Sequence, residues 1–185
     1  VDEQFTEGYQ KTIGSGRFFL YDHWGSMNTD ELLSHIRFMV QAEGVTHLVL
    51  DHISIVVSGM AEGETSERKS IDILMTKLRA LVEESKFSLI LVSHLKRPEG
   101  NRGFEDGLAP NLSALRGSAS LSQLADQVIA LSRNLQSDED KHTTTVTVLK
   151  NRFSGETGIA TYLEYNPDDG VLSETSFKGD FSNHE

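Results

Sequence analysis

Five stretches hold side chains whose types and spacing could do chemistry. HLVLD (His47–Asp51) sets a carboxylate at the end of an apolar run. An acid on a rigid, dry strand can hold a water of a magnesium ion that bridges nucleotide phosphates. On that stretch alone, a core strand whose acid caps a loop remains the commoner reading. LILVSHLKRP ends a second apolar run at His94, which could hydrogen-bond a terminal phosphate; a lone histidine is more often structural. Lys96, Arg97 and Arg102 follow among glycines in KRPEGNRGFEDGLAPNL. Such a loop can reach a phosphodiester backbone without sequence preference, or can be a plain surface excursion. LRGSAS couples Arg116 to small residues that permit close backbone approach, or simple helix packing. LKNRFSG sets Lys150 and Arg152 two apart, on one face of a strand. That pair could clamp phosphates as an arginine finger, or be a solvated basic edge.

Positioning these groups falls to an alternation of strands and helices. RFFLYD (17–22) reads as a strand, and Asn28-Thr29-Asp30-Glu31 supplies helix N-cap candidates. Leu32, Leu33, Ile36, Phe38, Met39 and Val40 mark a helical apolar face closed by Gly44. Residues 45–57 contain the strand leading to Asp51. Ile71, Leu74, Met75, Leu78 and Leu81 recur at helical spacing. FSLILV (87–92) reads as a buried strand, residues 113–125 as a helix and QVIAL (127–131) as a further buried strand. Residues 143–150 and 159–165 form a hairpin, and the polar tail begins at Ser173. This order predicts parallel βαβ units, whose ligands bind at the carboxyl ends of strands. Asp51 and His94 both fall at such ends.

Composition bounds the partners. The 185 residues suffice for one α/β domain, with 37% hydrophobic and 24% charged content. No apolar run is long enough to span a membrane, and VDEQFTEGYQ is no signal peptide. With no cysteine, disulfides and thiol chemistry are excluded, which fits a reducing cytoplasm. A net charge of -11 disfavours one broad DNA-coating basic face but leaves local basic loops free to act. No G-x-x-x-x-G-K-[ST] phosphate-cradling loop occurs, and the chain starts without Met, so excision from a longer protein is expected.

LVLDHISIVVSG, SERKSIDILMTKL, LVSHLKRP, LRGSASLSQLADQVIALSRN and LKNRFSGETGIATYLEYN, in that order and spacing, resemble the C-terminal half of the helicase domain in T-seven-type phage primase-helicases. Mitochondrial Twinkle and the DnaB-like replicative helicases are more distant relatives. The resemblance runs from about Arg17 to about Gly170. It implies an α/β RecA-like P-loop NTPase core with a mostly parallel sheet flanked by helices and a C-terminal β-hairpin, truncated before its Walker A part. Residues 1–172 would form that portion and 173–185 a flexible tail. It implies a ring, usually a hexamer, around single-stranded DNA, in which hydrolysis of ATP or dTTP with Mg2+ at subunit interfaces drives 5′-to-3′ translocation and duplex unwinding. Replisome partners and a location in the cytoplasm, the host's if phage-encoded, follow from it; a membrane does not.

By the same resemblance Asp51 is the metal-associated Walker B acid and His94 the γ-phosphate sensor. Arg152, beside Lys150, is the finger reaching the next subunit's site. Arg133 and Tyr165 sandwich the nucleotide base. Lys96 contacts DNA, Arg102 is a looser match in the same loop, and Arg97 and Arg116 belong to the same DNA-facing set. Ala114 stands where the phage pattern tends to carry an acid, and Ser122 where it carries a base. The Walker A loop and water-activating glutamate lie upstream in the family, so no cofactor is assured for this fragment and it is expected to be inactive alone. The alternative is a non-catalytic RecA-like module that binds DNA or a partner.

Overall fold

The interior is built on α4 (Glu64–Ser85), where Ile71, Leu74, Met75, Leu78 and Leu81 all lie buried along one stripe, as their spacing predicts. The computed structural model describes residues 3–21, 28–58, 64–96, 98, 103–115, 119–138 and 140–176. Against that stripe lie α2 (Thr29–Gln41), through Leu32 and Ile36, and a short helix α3 (Ile53–Ser58), through Ile53 and Val57. Leu48, Phe87 and Leu121 complete the buried cluster. Each such side chain contributes about 1.5–3 kcal/mol on leaving water. Preceding these elements is α1 (Glu3–Lys11), which buries none of its residues.

Helix α2 begins where the sequence places it: the Asn28 side chain accepts a hydrogen bond from the Asp30 N–H at 2.9 Å. It ends through Gly44, whose φ of 71° reverses the chain so that the Val45 N–H reaches the Met39 carbonyl. The next strand, β1 (His47–Leu50), is only four residues long. The apolar ISIVV beyond it is helical, and this spacing places Ile53 and Val57, four apart, on the same buried face.

Strand β2 (Ser88–Leu91) follows α4 and pairs in parallel with β1, Leu50 opposite Leu91. A short helix α5 (Ala119–Leu124) then leads to β3 (Gln127–Arg133), β4 (Thr143–Asn151), β5 (Gly158–Tyr165) and β6 (Leu172–Thr175), an antiparallel sheet in that order. Among the described residues the parallel part is therefore a single pair, and the expected hairpin is the centre of a four-stranded sheet.

Four expectations change. Residues 113–125 are not one helix: a 3-10 turn spans Leu112–Ala114, Leu115 is extended and bridged to Leu95, and the α-helix covers Ala119–Leu124. RFFLYD is not a strand: residues 17–21 carry no regular structure, no described strand pairs with them, and Phe18, Phe19, Leu20 and Tyr21 are exposed; Asp22 lies outside the described residues. The strands read as buried are covered on one side only, leaving Val49, Ile90, Ile129 and Leu131 more than half exposed. The polar tail does not begin at Ser173, because Ser173, Glu174 and Thr175 pair with Glu164, Leu163 and Tyr162 in the edge strand.

Candidate functional site

Backbone pairing carries β1 and β2 to a common end. The Val92 N–H donates to the Leu50 carbonyl at 3.0 Å, and the Ile53 N–H crosses back to the Val92 carbonyl at 3.1 Å. Asp51 follows β1 directly, and His94 stands three residues beyond β2, both exposed. Next to Asp51 stands His52, which no motif in the sequence marks. Its ring meets that of His94 edge to face, with centroids 4.3 Å apart. Asp51 makes no ion pair among the described residues. The geometry sets one free carboxylate and one imidazole at the carboxyl ends of adjacent parallel strands.

Among the described residues no group of three or more His, Cys, Asp or Glu could form a protein-only metal cage. A single exposed carboxylate fits magnesium, which keeps waters and takes its remaining ligands from phosphates.

Beyond His94 the chain enters the basic loop, and its neck is closed. Leu95 bridges Leu115 in antiparallel fashion, and the Lys96 N–H donates to the Ala114 carbonyl at 2.7 Å. Lys96 is exposed at that neck, while Arg97, Arg102 and Arg116 lie outside the described residues. The bridge nonetheless brings the two backbone ends of the loop, at Lys96 and Leu115, beside each other.

The remaining predicted residues occupy opposite ends of the antiparallel sheet. Arg133 closes β3 opposite Thr144, which in turn lies opposite Leu163; Tyr165 is two residues further along β5. Strand periodicity then puts Arg133 and Tyr165 on one face at one end. At that end the Tyr165 N–H donates to the His142 carbonyl, and the two rings stand 6.5 Å apart. Lys150 and Arg152 lie at the far end, where β4 runs from Thr143 to Asn151. At about 3.4 Å per residue the ends are roughly 27 Å apart.

Lys150 and Arg152 both turn toward the carboxyl end of α5. The Lys150 ammonium donates to the carbonyls of Ser122, Gln123 and Ala125 at 2.7, 3.2 and 2.8 Å. A cation is favoured there by the unpaired carbonyls of a helix end. Arg152 lies just past the strand; its Nη1 donates to Asp126 Oδ1 at 3.0 Å and its Nη2 to the Gln123 carbonyl at 3.1 Å. Asp126 Oδ2 takes Arg79 Nη1 at 2.6 Å. The hydrogen bond and charge of Arg79, aided by Arg152 and Lys150, hold the Asp126 carboxyl below the ordinary carboxylate value, and the same bond raises Arg79. Neither Asp126 nor Arg79 was anticipated.

Residues 3–168 match the DnaB-like helicase C-terminal domain family. The chain belongs to that family. This DnaB-like domain is 44% identical over 178 residues to the DNA helicase/primase of Enterobacteria phage T3, covering 96% of the chain but 31% of that relative. Among solved structures it resembles a DnaB-like replicative helicase studied with primase (TM-score 0.68, 20% identity, 93% of this chain and 42% of that one). A KaiC-like protein of Pyrococcus horikoshii OT3 is similar as well (0.58, 19%, 92% and 66%). These likenesses show the fold, α/β and RecA-like, with its parallel strands and its antiparallel hairpin sheet. Among the described residues no helix is long and apolar enough to cross a membrane.

Proposed function

We propose that this domain is part of a replicative DNA helicase that hydrolyses ATP or dTTP at subunit interfaces to move 5′ to 3′ along single-stranded DNA and unwind duplex. The observation that carries the reading is the roughly 27 Å between the Arg133/Tyr165 end and the Arg152 end of one sheet. One chain cannot place both ends on one nucleotide, so a base held at one end calls for an arginine supplied by a neighbouring copy. A ring meets that requirement. The chain spans about a third of the phage relative, so the phosphate-cradling loop and water-activating glutamate are assigned to an upstream segment of the same protein. The outward apolar residues Val49 and Ile90 suit a covering layer from such a segment.

In this reading Asp51 would hold a hydrated magnesium ion, which would supply positive charge against the phosphates. His94 donates to the terminal phosphate and reports its loss through Lys96, two residues away at the neck of the loop. Lys96, Arg97, Arg102 and Arg116 are assigned to the DNA backbone. Arg133 and Tyr165 hold the base between them. Arg152 meets the charge that develops on the neighbour's phosphate.

Asp51→Asn in the full-length protein tests it. DNA-stimulated hydrolysis and unwinding should fall at least about a hundredfold, with DNA binding retained. Normal hydrolysis by that variant would remove Asp51 from the site, and wild-type protein without hydrolysis would favour the second reading, a non-catalytic RecA-like module, which the lack of a phosphate loop in this chain also fits.

A further inference from the structure

We propose that Asp126 is the positioning residue for Arg152, holding the guanidinium at the angle from which it meets a neighbouring subunit's nucleotide. The proposal rests on the reading of Arg152 as the finger and adds how the finger is aimed.

Asp126 holds Arg152 twice. Its carbonyl accepts the Arg152 N–H at 2.9 Å, and its Oδ1 accepts Nη1 at 3.0 Å. The Gln123 carbonyl takes Nη2 on the same side. A planar guanidinium held through both terminal nitrogens keeps its orientation. Half of the side chain stays exposed, and its other donors have no partner among the described residues. The group is therefore fixed at one edge and open at the other, as a residue serving an external anion must be.

The carboxylate is itself immobilised. Arg79 from α4 takes Oδ2, so the two oxygens of Asp126 serve two arginines from different elements. Lys150, bonded to two carbonyls of α5 and to that of Ala125 just past it, holds that helix end in register with the strand that leads to Arg152. Lys150 thus acts on the finger's mount and not on phosphate.

The test uses the full-length protein with Asp126→Ala, Asp126→Asn, Arg79→Gln, Arg152→Ala and the double variant Asp126→Ala/Arg152→Ala, measured with single-stranded DNA and saturating nucleotide. Misaiming an otherwise intact group costs about a hundredfold. Asp126→Ala should lower kcat by about 10–100-fold while KM for nucleotide moves less than about threefold, and Asp126→Asn should recover part of the loss. The double variant should be no slower than Arg152→Ala. Arg79→Gln frees one oxygen of the same carboxylate and should lower kcat less than Asp126→Ala does, and urea unfolding of each variant separates aiming from folding. Arg152→Ala inactive with Asp126→Ala fully active would overturn the positioning role and leave the finger standing. Arg152→Ala fully active would instead remove the finger reading itself. A kcat loss in Asp126→Ala that is matched by a lost urea unfolding transition, or faster DNA-independent hydrolysis in Asp126→Ala, would also overturn the proposal: the first makes the site structural, the second makes Asp126 a brake.

Discussion

His52 meets His94 edge to face at 4.3 Å between ring centroids, directly beside Asp51. The Nδ1 of His52 is buried without a hydrogen-bond partner among the described residues. An unpaired buried donor or acceptor costs about 1–3 kcal/mol. His52→Phe keeps a ring against His94 and removes that nitrogen. It should raise stability by about 1 kcal/mol, read from the urea midpoint at constant slope, with hydrolysis maintained. His94→Ala, which removes the group assigned to the phosphate, should abolish DNA-stimulated hydrolysis.

Asp126 makes stability depend on acid. Its folded-state pKa lies below the ordinary value of 3.8, first because Arg79 hydrogen-bonds the ionised form. The unfolded chain therefore binds the proton more readily, and stability rises with pH across that window. The contribution is fully present above the ordinary value and is lost as pH falls through the folded value. Asp126→Asn should flatten the stability profile below about pH 4. An unchanged acid slope in chemical unfolding at stepped pH would contradict the ion pair.

Lys150 serves the carboxyl end of α5 with three bonds to carbonyls. Lys150→Met keeps the apolar stem and removes the charge. It should destabilise the domain by about 2 kcal/mol, since hydrogen bonds from charged groups contribute about 1.5–3 kcal/mol. The same variant should leave KM for nucleotide within about threefold, because the ammonium is occupied away from phosphate.

Arg133 and Tyr165 share a face and an end of the antiparallel sheet. Stacking of a base contributes about 1–3 kcal/mol. Tyr165→Ala should raise KM for nucleotide by about 5–100-fold with kcat little changed, as expected for binding that is uniform along the reaction. Steady-state kinetics across nucleotides with different bases would check it.

Local pattern made much of this legible. The α4 stripe follows from spacing, and Asp51 from an apolar run that stops on an acid. Both signals lie within a few residues. RFFLYD misleads because β-prone residues form a strand only beside a partner, and none is present among the described residues. The strand Leu172–Thr175 escapes because LSET is short, mostly exposed and lacks alternation. Arg79 and Asp126 are 47 residues apart, so no window holds both. Lys150 directs its charge to backbone carbonyls, which leave no mark on residue type. The family resemblance supplied Arg133, Tyr165 and the finger; spacing alone left the last as one of two options.

We propose that Arg152 works on another subunit's nucleotide. This is tested most directly by mixing full-length wild type with Arg152→Ala at fixed total protein and following DNA-stimulated hydrolysis. Each variant subunit should disable a site it does not itself build, so activity should fall more steeply than the wild-type fraction. A strictly linear decline, or full activity in rings made only of Arg152→Ala, would contradict it.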